Sequence, residues 1–193
     1  FIAAAVMSIF MVVRHTRTEE ETERAELVRA APVGRHAALV SAMIGTLVVN
    51  AAIAAGNVVA LLAFGLPAAG SFAFGASMLG AGMVFAAVAA VTAQIASGSR
   101  AALAIAGLVI GVAFVLRAIG DVGNGVLSWG SPIGWAQSIR PYADERWWVL
   151  ALPAVATLLL VGIALALQDR PDETACDRAI RGAEAANHLV FKL

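Results

Sequence analysis

From Ala37 to Phe64 the chain runs for 28 residues without a charged side chain. A helix of about 20 apolar residues spans the hydrocarbon of a bilayer and satisfies its own backbone there. The extra length is absorbed by tilt. A window of about 19 residues finds three more such stretches, at 72–96, 101–119 and 147–167. Short turns separate them at Leu66-Pro67-Ala68-Ala69-Gly70 and at Ser97-Gly98-Ser99-Arg100. Pro153 falls inside the last stretch, where a membrane helix tolerates it if neighbours satisfy the freed carbonyl. Phe1 to Val13 is also apolar, but 13 helical residues rise only about 20 Å. Arg14, His15 and Arg17 follow this run, the reverse of the order in a secretory signal. It is expected to be the end of a span whose beginning is missing.

Composition agrees with lipid as the solvent. Of the 193 residues, 61% are hydrophobic and 13% charged, with a mean hydropathy of +0.85. A soluble domain carries about 25% charged residues. The charges cluster at 14–35, 140–146 and 169–184, and the net charge is zero, so nothing points to nucleic acid. The single Cys176 excludes an internal disulfide and a cysteine-based metal cage.

Sidedness follows from the arginines. The 14–36 loop holds five and Arg100 lies in the next loop on the same side, while the 65–71 turn has none. Basic loops face the cytoplasm, which puts 14–36 and the tail after Gln168 inside. Trp129, Trp135, Trp147 and Trp148 gather at the other end, as in an outer aromatic belt. The intervening 120–146 segment mixes Gly and Pro with Val126, Leu127, Ile133 and Ile139. That mixture suits either short helices dipping into the outer interface or an ordinary surface loop.

The 14–36 loop has the signals of a short helix at 18–31. Thr18 followed by Glu21 makes a capping box; Glu19, Glu20, Glu21 and Glu23 lie in the first turns and Arg29 near the end, as the helix dipole favours. Glu20 and Arg24 are spaced for an i,i+4 ion pair, and Pro32 and Gly34 stop the helix. A capped helix tied closely to two spans can transmit force from a soluble partner; the same residues would also serve as a solvated connector. A carboxylate metal site is disfavoured, because consecutive residues point in different directions on a helix.

At these residues the sequence resembles the type-2 ABC exporter permeases, in particular the subgroup of polyketide-antibiotic and drug exporters. The family's coupling-helix pattern is met by Arg17, Glu20-Glu21, Glu26-Leu27, Ala30-Ala31 and Pro32-Val33-Gly34-Arg35. A second element, Leu127 to Trp135 through Arg140-Pro141-Tyr142 to Trp147-Trp148, is similar to the family's short extracellular helices. The resemblance covers 1–168 and maps the spans as the end of the second and the third to sixth. It implies an all-α, polytopic transmembrane helical bundle of about four complete spans plus a truncated first one, with a cytoplasmic coupling helix and short extracellular interfacial helices. Residues 1–168 are then a partial half-transporter and 169–193 a cytoplasmic tail or linker without a counterpart in the family. The resemblance further implies that Glu20, Glu21, Glu23, Arg24, Glu26, Leu27, Arg29, Pro32 and Arg35 receive an ABC ATPase subunit, and that a second permease half completes the pathway across the cytoplasmic membrane.

Within the spans, Asn50 and Asn57 share one face of 37–64, with Thr46 a turn earlier. They form either a polar stripe along a substrate path or hydrogen bonds between helices. Gln94 falls near the cytoplasmic end of its span. Gly107/Gly111, Ser41/Gly45, Ala52/Gly56 and Ala76/Gly80 are small-xxx-small pairs that permit close helix approach. Arg117 is placed to snorkel to the outer interface or to pair with Asp121. No span holds the charged residue of an ion-coupled transporter.

The leading expectation is the permease part of an ATP-driven exporter of hydrophobic or amphipathic, drug-like compounds. The sequence has no GxxxxGK[ST] loop, so ATP and Mg belong to the separate subunit and no cofactor to this chain. The alternative is a membrane scaffold that binds a partner through 14–36 without transporting. An intramembrane enzyme ranks third: His15, His36 and His188 lie outside the spans and no HExxH occurs.

Overall fold

The computed structural model describes residues 1–18, 36–96, 98–123 and 125–169. Helix α1 (Ile2–Val13) ends in a π-helical turn, Arg14–Thr18. Helices α2 (Ala37–Ala63), α3 (Ala68–Ile95) and α4 (Ser99–Val122) follow. A 3-10 turn at Val126–Gly130 and the short α5 (Pro132–Ser138) precede a second 3-10 turn at Trp147–Leu150, which leads into α6 (Ala151–Gln168). Among the described residues there is no strand. Four segments are long and apolar enough to cross a membrane: Ala37–Ala63, Ala68–Ile95, Ser99–Val122 and Trp147–Gln168.

The boundaries differ from expectation by three or more residues at two places, for local reasons. Helix α3 starts four residues before the expected 72, because Pro67 (φ −55°, ψ 136°) is extended and the helix begins directly behind it. Helix α4 continues past the expected 119 through Gly120, Asp121 and Val122, with Arg117 and Asp121 paired one turn apart across its end. Within 120–146 the chain forms short helical segments, Val126–Gly130 and Pro132–Ser138. Ser131 Oγ donates 2.7 Å to the carbonyl of Ala113, nine residues before the end of α4, which is roughly 13 Å along the axis. The segment therefore folds back against the last turns of α4, and Ile133 joins the main core.

Helix α3 is the central element. Over half of its apolar window is buried (56%), against 17% for the α4 window and for that of Trp147–Gln168. Its sequence explains this, since Gly and Ala let backbones approach on several sides at once. It packs against α1, α2, α4, α5 and α6. A Cβ on Gly80 would lie 3.1 Å from Pro153 Cγ of α6. The core around Phe85 draws on Ile9 and Val12 of α1, Leu39 and Met43 of α2, Ala106 and Ile110 of α4 and Ala164 of α6. The outward faces of α4 and α6 carry large exposed apolar side chains such as Leu108 (67%) and Leu158 (73%). In water this surface would be an aggregation hazard; in lipid it is the expected boundary. The small-residue pairs divide accordingly. Gly80 sits at a packed interface, while a Cβ on Gly107, Gly111 or Gly56 would meet nothing within 4 Å, so the tight packing expected there is not made within this chain.

Candidate functional site

Three regions bear on function: the 14–36 loop, the buried Asn50 and the end of the bundle away from the loop. Helix α1 delivers the chain into the 14–36 loop through its π-helical turn, where Thr16 Oγ1 donates 2.8 Å to the Val12 carbonyl. The loop returns at His36, whose Nδ1 lies 3.2 Å from Gln168 Oε1 and whose Nε2 lies 3.3 Å from Asp169 Oδ1. The start of α2 is thus tied to the end of α6, and both ends of the loop stand on packed helices. The residues expected to receive a partner, Glu20, Glu21, Glu23, Arg24, Glu26, Leu27, Arg29, Pro32 and Arg35, lie outside the described residues, as do the expected 18–31 helix beyond Thr18 and the tail from 170 onward.

Inside the bundle, Asn50 is 2% exposed and lies where α1, α2 and α3 meet. Its Nδ2 donates 2.9 Å to Ser8 Oγ on α1 and 3.0 Å to the Thr46 carbonyl of its own helix. Ser8 in turn donates 2.7 Å to the Ala4 carbonyl, and Thr46 donates 2.8 Å to the Ala42 carbonyl. The amide fits only because Gly82 of α3 faces it: a Cβ there would overlap Asn50 Oδ1. Asn57 behaves differently. It is half-buried, and its Nδ2 donates 2.8 Å to the Ile53 carbonyl within the same helix. The two asparagines share a face, as their spacing requires, but it is Asn50 whose side chain bonds to a neighbouring helix, while the Asn57 amide bonds within its own. The sequence reading missed Ser8 as the partner, since nothing local connects residues 42 positions apart.

At the other end, Arg117 Nη2 and Asp121 Oδ2 are 2.5 Å apart and partly exposed, so the arginine pairs within its helix at the point where it was expected to reach the interface. Trp129 and Trp148 stack with ring centroids 5.8 Å apart and planes at 12°. Trp135 Nε1 donates 2.5 Å to the Trp129 carbonyl. Three of the four tryptophans expected at one end, Trp129, Trp135 and Trp148, are thus linked through Trp129. Among the described residues, no three His, Cys, Asp or Glu side chains come together as they would around a metal ion.

Together these features define an all-α polytopic membrane bundle. No family model matches the chain. It is 48% identical over 164 residues, 85% of its length, to the multidrug efflux system permease protein Rv1217c of Mycobacterium tuberculosis. The chain spans 30% of that relative's length. The resemblance to drug-exporter permeases read from the loop and the outer segment is thus met by a relative of that name.

Proposed function

We propose that this chain is a membrane-spanning part of a drug-exporting permease that moves hydrophobic or amphipathic compounds across the cytoplasmic membrane. The observation that carries this reading is the 48% identity to a multidrug efflux permease across 85% of the chain. Three further features support it. The spans hold no charge of the kind a proton relay needs between Ala37 and Ser99. The 14–36 loop is anchored at both ends on packed helices. Its sequence has the caps and charge order of a rigid helix.

In this reading the energy comes from an ABC ATPase on a separate chain, which docks on Glu20 to Arg35 and holds the ATP and Mg. Glu20, Glu21, Glu23, Glu26 and Arg24, Arg29, Arg35 supply charged contacts, and Leu27 the apolar one. A second permease half completes the pathway, with Asn50 and Asn57 near it. The loop and the tail face the cytoplasm.

The test is co-expression with a candidate cassette ATPase, comparing wild type with Glu26→Lys. Co-purification of the ATPase, with ATPase activity that responds to the permease and loses that response in Glu26→Lys at normal membrane insertion, is the expected result. Failure of any cassette ATPase to bind, or an unaffected Glu26→Lys, moves the scaffold alternative ahead.

A further inference from the structure

The end of the bundle away from the 14–36 loop holds a cavity of about 310 Å³ between the last turn of α4 and the 126–146 segment. Arg117, Arg140 and Arg146 line it, with Asp121 as the one carboxylate and Ser138 and Gln137 as neutral hydrogen-bonding groups. Three guanidinium groups against one carboxylate leave an excess of positive charge. Asp144 and Glu145 belong to the same loop but do not line the cavity. Asp121 engages one end of Arg117. The Arg117 Nε is buried and has no hydrogen-bond partner among the described residues, a state that a buried donor does not keep without cost.

The loop that brings the other two arginines here is held in an unusual shape. Arg140 (φ 54°), Tyr142 (φ 67°) and Asp144 (φ 61°) all adopt left-handed backbone conformations, which bulky residues rarely do. Strain of this kind persists only where the surroundings enforce it. Here they do. Arg146 N donates 2.9 Å to the Ile139 carbonyl and closes the loop. Tyr142 OH lies 3.2 Å from Ser71 Oγ at the start of α3, with its ring against Gly70. The backbone that carries the two exposed arginines is thereby held beside the cavity.

We propose that this cavity binds a phosphate group, carried by an anionic lipid headgroup or free in solution. Arginine's planar fork matches phosphate oxygens, and the volume is at the small end for a ligand site, suited to a headgroup and not to a large drug. The stacked pair Trp129 and Trp148, of which Trp129 lines the cavity, is of the residue type that settles at headgroup depth. That placement favours the lipid as the source. The site stands apart from the export reading and does not depend on it.

The test uses the purified chain in detergent micelles with phosphatidylglycerol or phosphatidylcholine of matched acyl chains, read by native mass spectrometry. A parallel arm measures inorganic phosphate by equilibrium dialysis. Wild type is expected to retain phosphatidylglycerol over phosphatidylcholine by about fivefold or more. Arg140→Gln with Arg146→Gln should lower that retention about tenfold, and Arg100→Gln, in the first turn of α4 at the opposite end of that helix from Arg117, should leave it unchanged. Asp121→Asn should raise retention, an effect that misfolding cannot mimic. Arginine-dependent binding of inorganic phosphate without a lipid preference supports the site and assigns the soluble source. Binding of neither probe, equal losses with Arg100→Gln, or a fall with Asp121→Asn overturns the proposal.

Discussion

Asn50 on α2 and Ser8 on α1 are joined by a 2.9 Å hydrogen bond, side chain to side chain, in the buried centre of the bundle. In lipid neither group has water as an alternative, so each is satisfied by the other or by its own helix. Both also have a helical carbonyl within reach, Thr46 for Asn50 and Ala4 for Ser8. This local fallback sets a low ceiling on what the pair contributes. A double-mutant cycle of Asn50→Ala and Ser8→Ala, followed by reversible unfolding in micelles, should give a coupling of about 0.6 kcal/mol and at most about 1.7 kcal/mol. A coupling near zero would show that the bond is dispensable to helix association.

The glycines of α3 and α4 should respond in opposite ways to the same added methyl group. At Gly82 a Cβ would overlap Asn50 Oδ1 in a buried site, while at Gly107 it would meet nothing within 4 Å. Gly82→Ala is expected to destabilise by about 1–3 kcal/mol, with recovery when combined with Asn50→Ala. Gly107→Ala should leave unfolding unchanged or slightly improve it, since Ala is the better helix former. Similar losses at both positions would mean that the α1–α2–α3 junction is not the tight point of the bundle.

Tyr142 is the clasp that holds the 139–146 loop to α3. Its ring occupies the space that a Cβ on Gly70 would need. Both Gly70→Ala and Tyr142→Ala should therefore release the loop, raising amide exchange at 140–146 without loosening α2. Hydrogen exchange by mass spectrometry checks this. Protection at 140–146 that survives both changes would show that backbone bonds such as Arg146 N to the Ile139 carbonyl suffice.

The expected sidedness gives a labelling test with the single native cysteine, Cys176. In intact cells Cys176 should resist a membrane-impermeant maleimide and react after permeabilisation. A Ser128→Cys change placed in a Cys176→Ser background should react in intact cells. The reversed pattern would invert the bundle and remove the 14–36 loop from any cytoplasmic ATPase.

The spans were legible because lipid imposes a length on apolar helices, and a sequence window measures length directly. Their faces were less so. Helix α3 is apolar or small on all sides, so no periodicity announced that it would be central. The partner of Asn50 was hidden for the same reason: Ser8 reads as one polar residue in an apolar run. In 120–146, Gly and Pro marked irregular backbone, but they did not foretell that Ser131 would reach the Ala113 carbonyl or that Arg140 and Arg146 would line one cavity with Arg117. Those contacts depend on how the segment folds back on α4, and local signals carry no information about that. Asn57 shows the converse, since its bond to Ile53 is a local one that any asparagine in a helix can make.

The most direct measurement of the central claim is transport. Inside-out membrane vesicles containing this chain, a second permease half and the cassette ATPase would be supplied with a hydrophobic fluorescent dye and ATP-Mg. The expected result is dye accumulation that requires ATP hydrolysis and is lost in Glu26→Lys while ATPase docking residues elsewhere are intact. Accumulation independent of ATP, or none above vesicles lacking the chain, would contradict an ATP-driven export role.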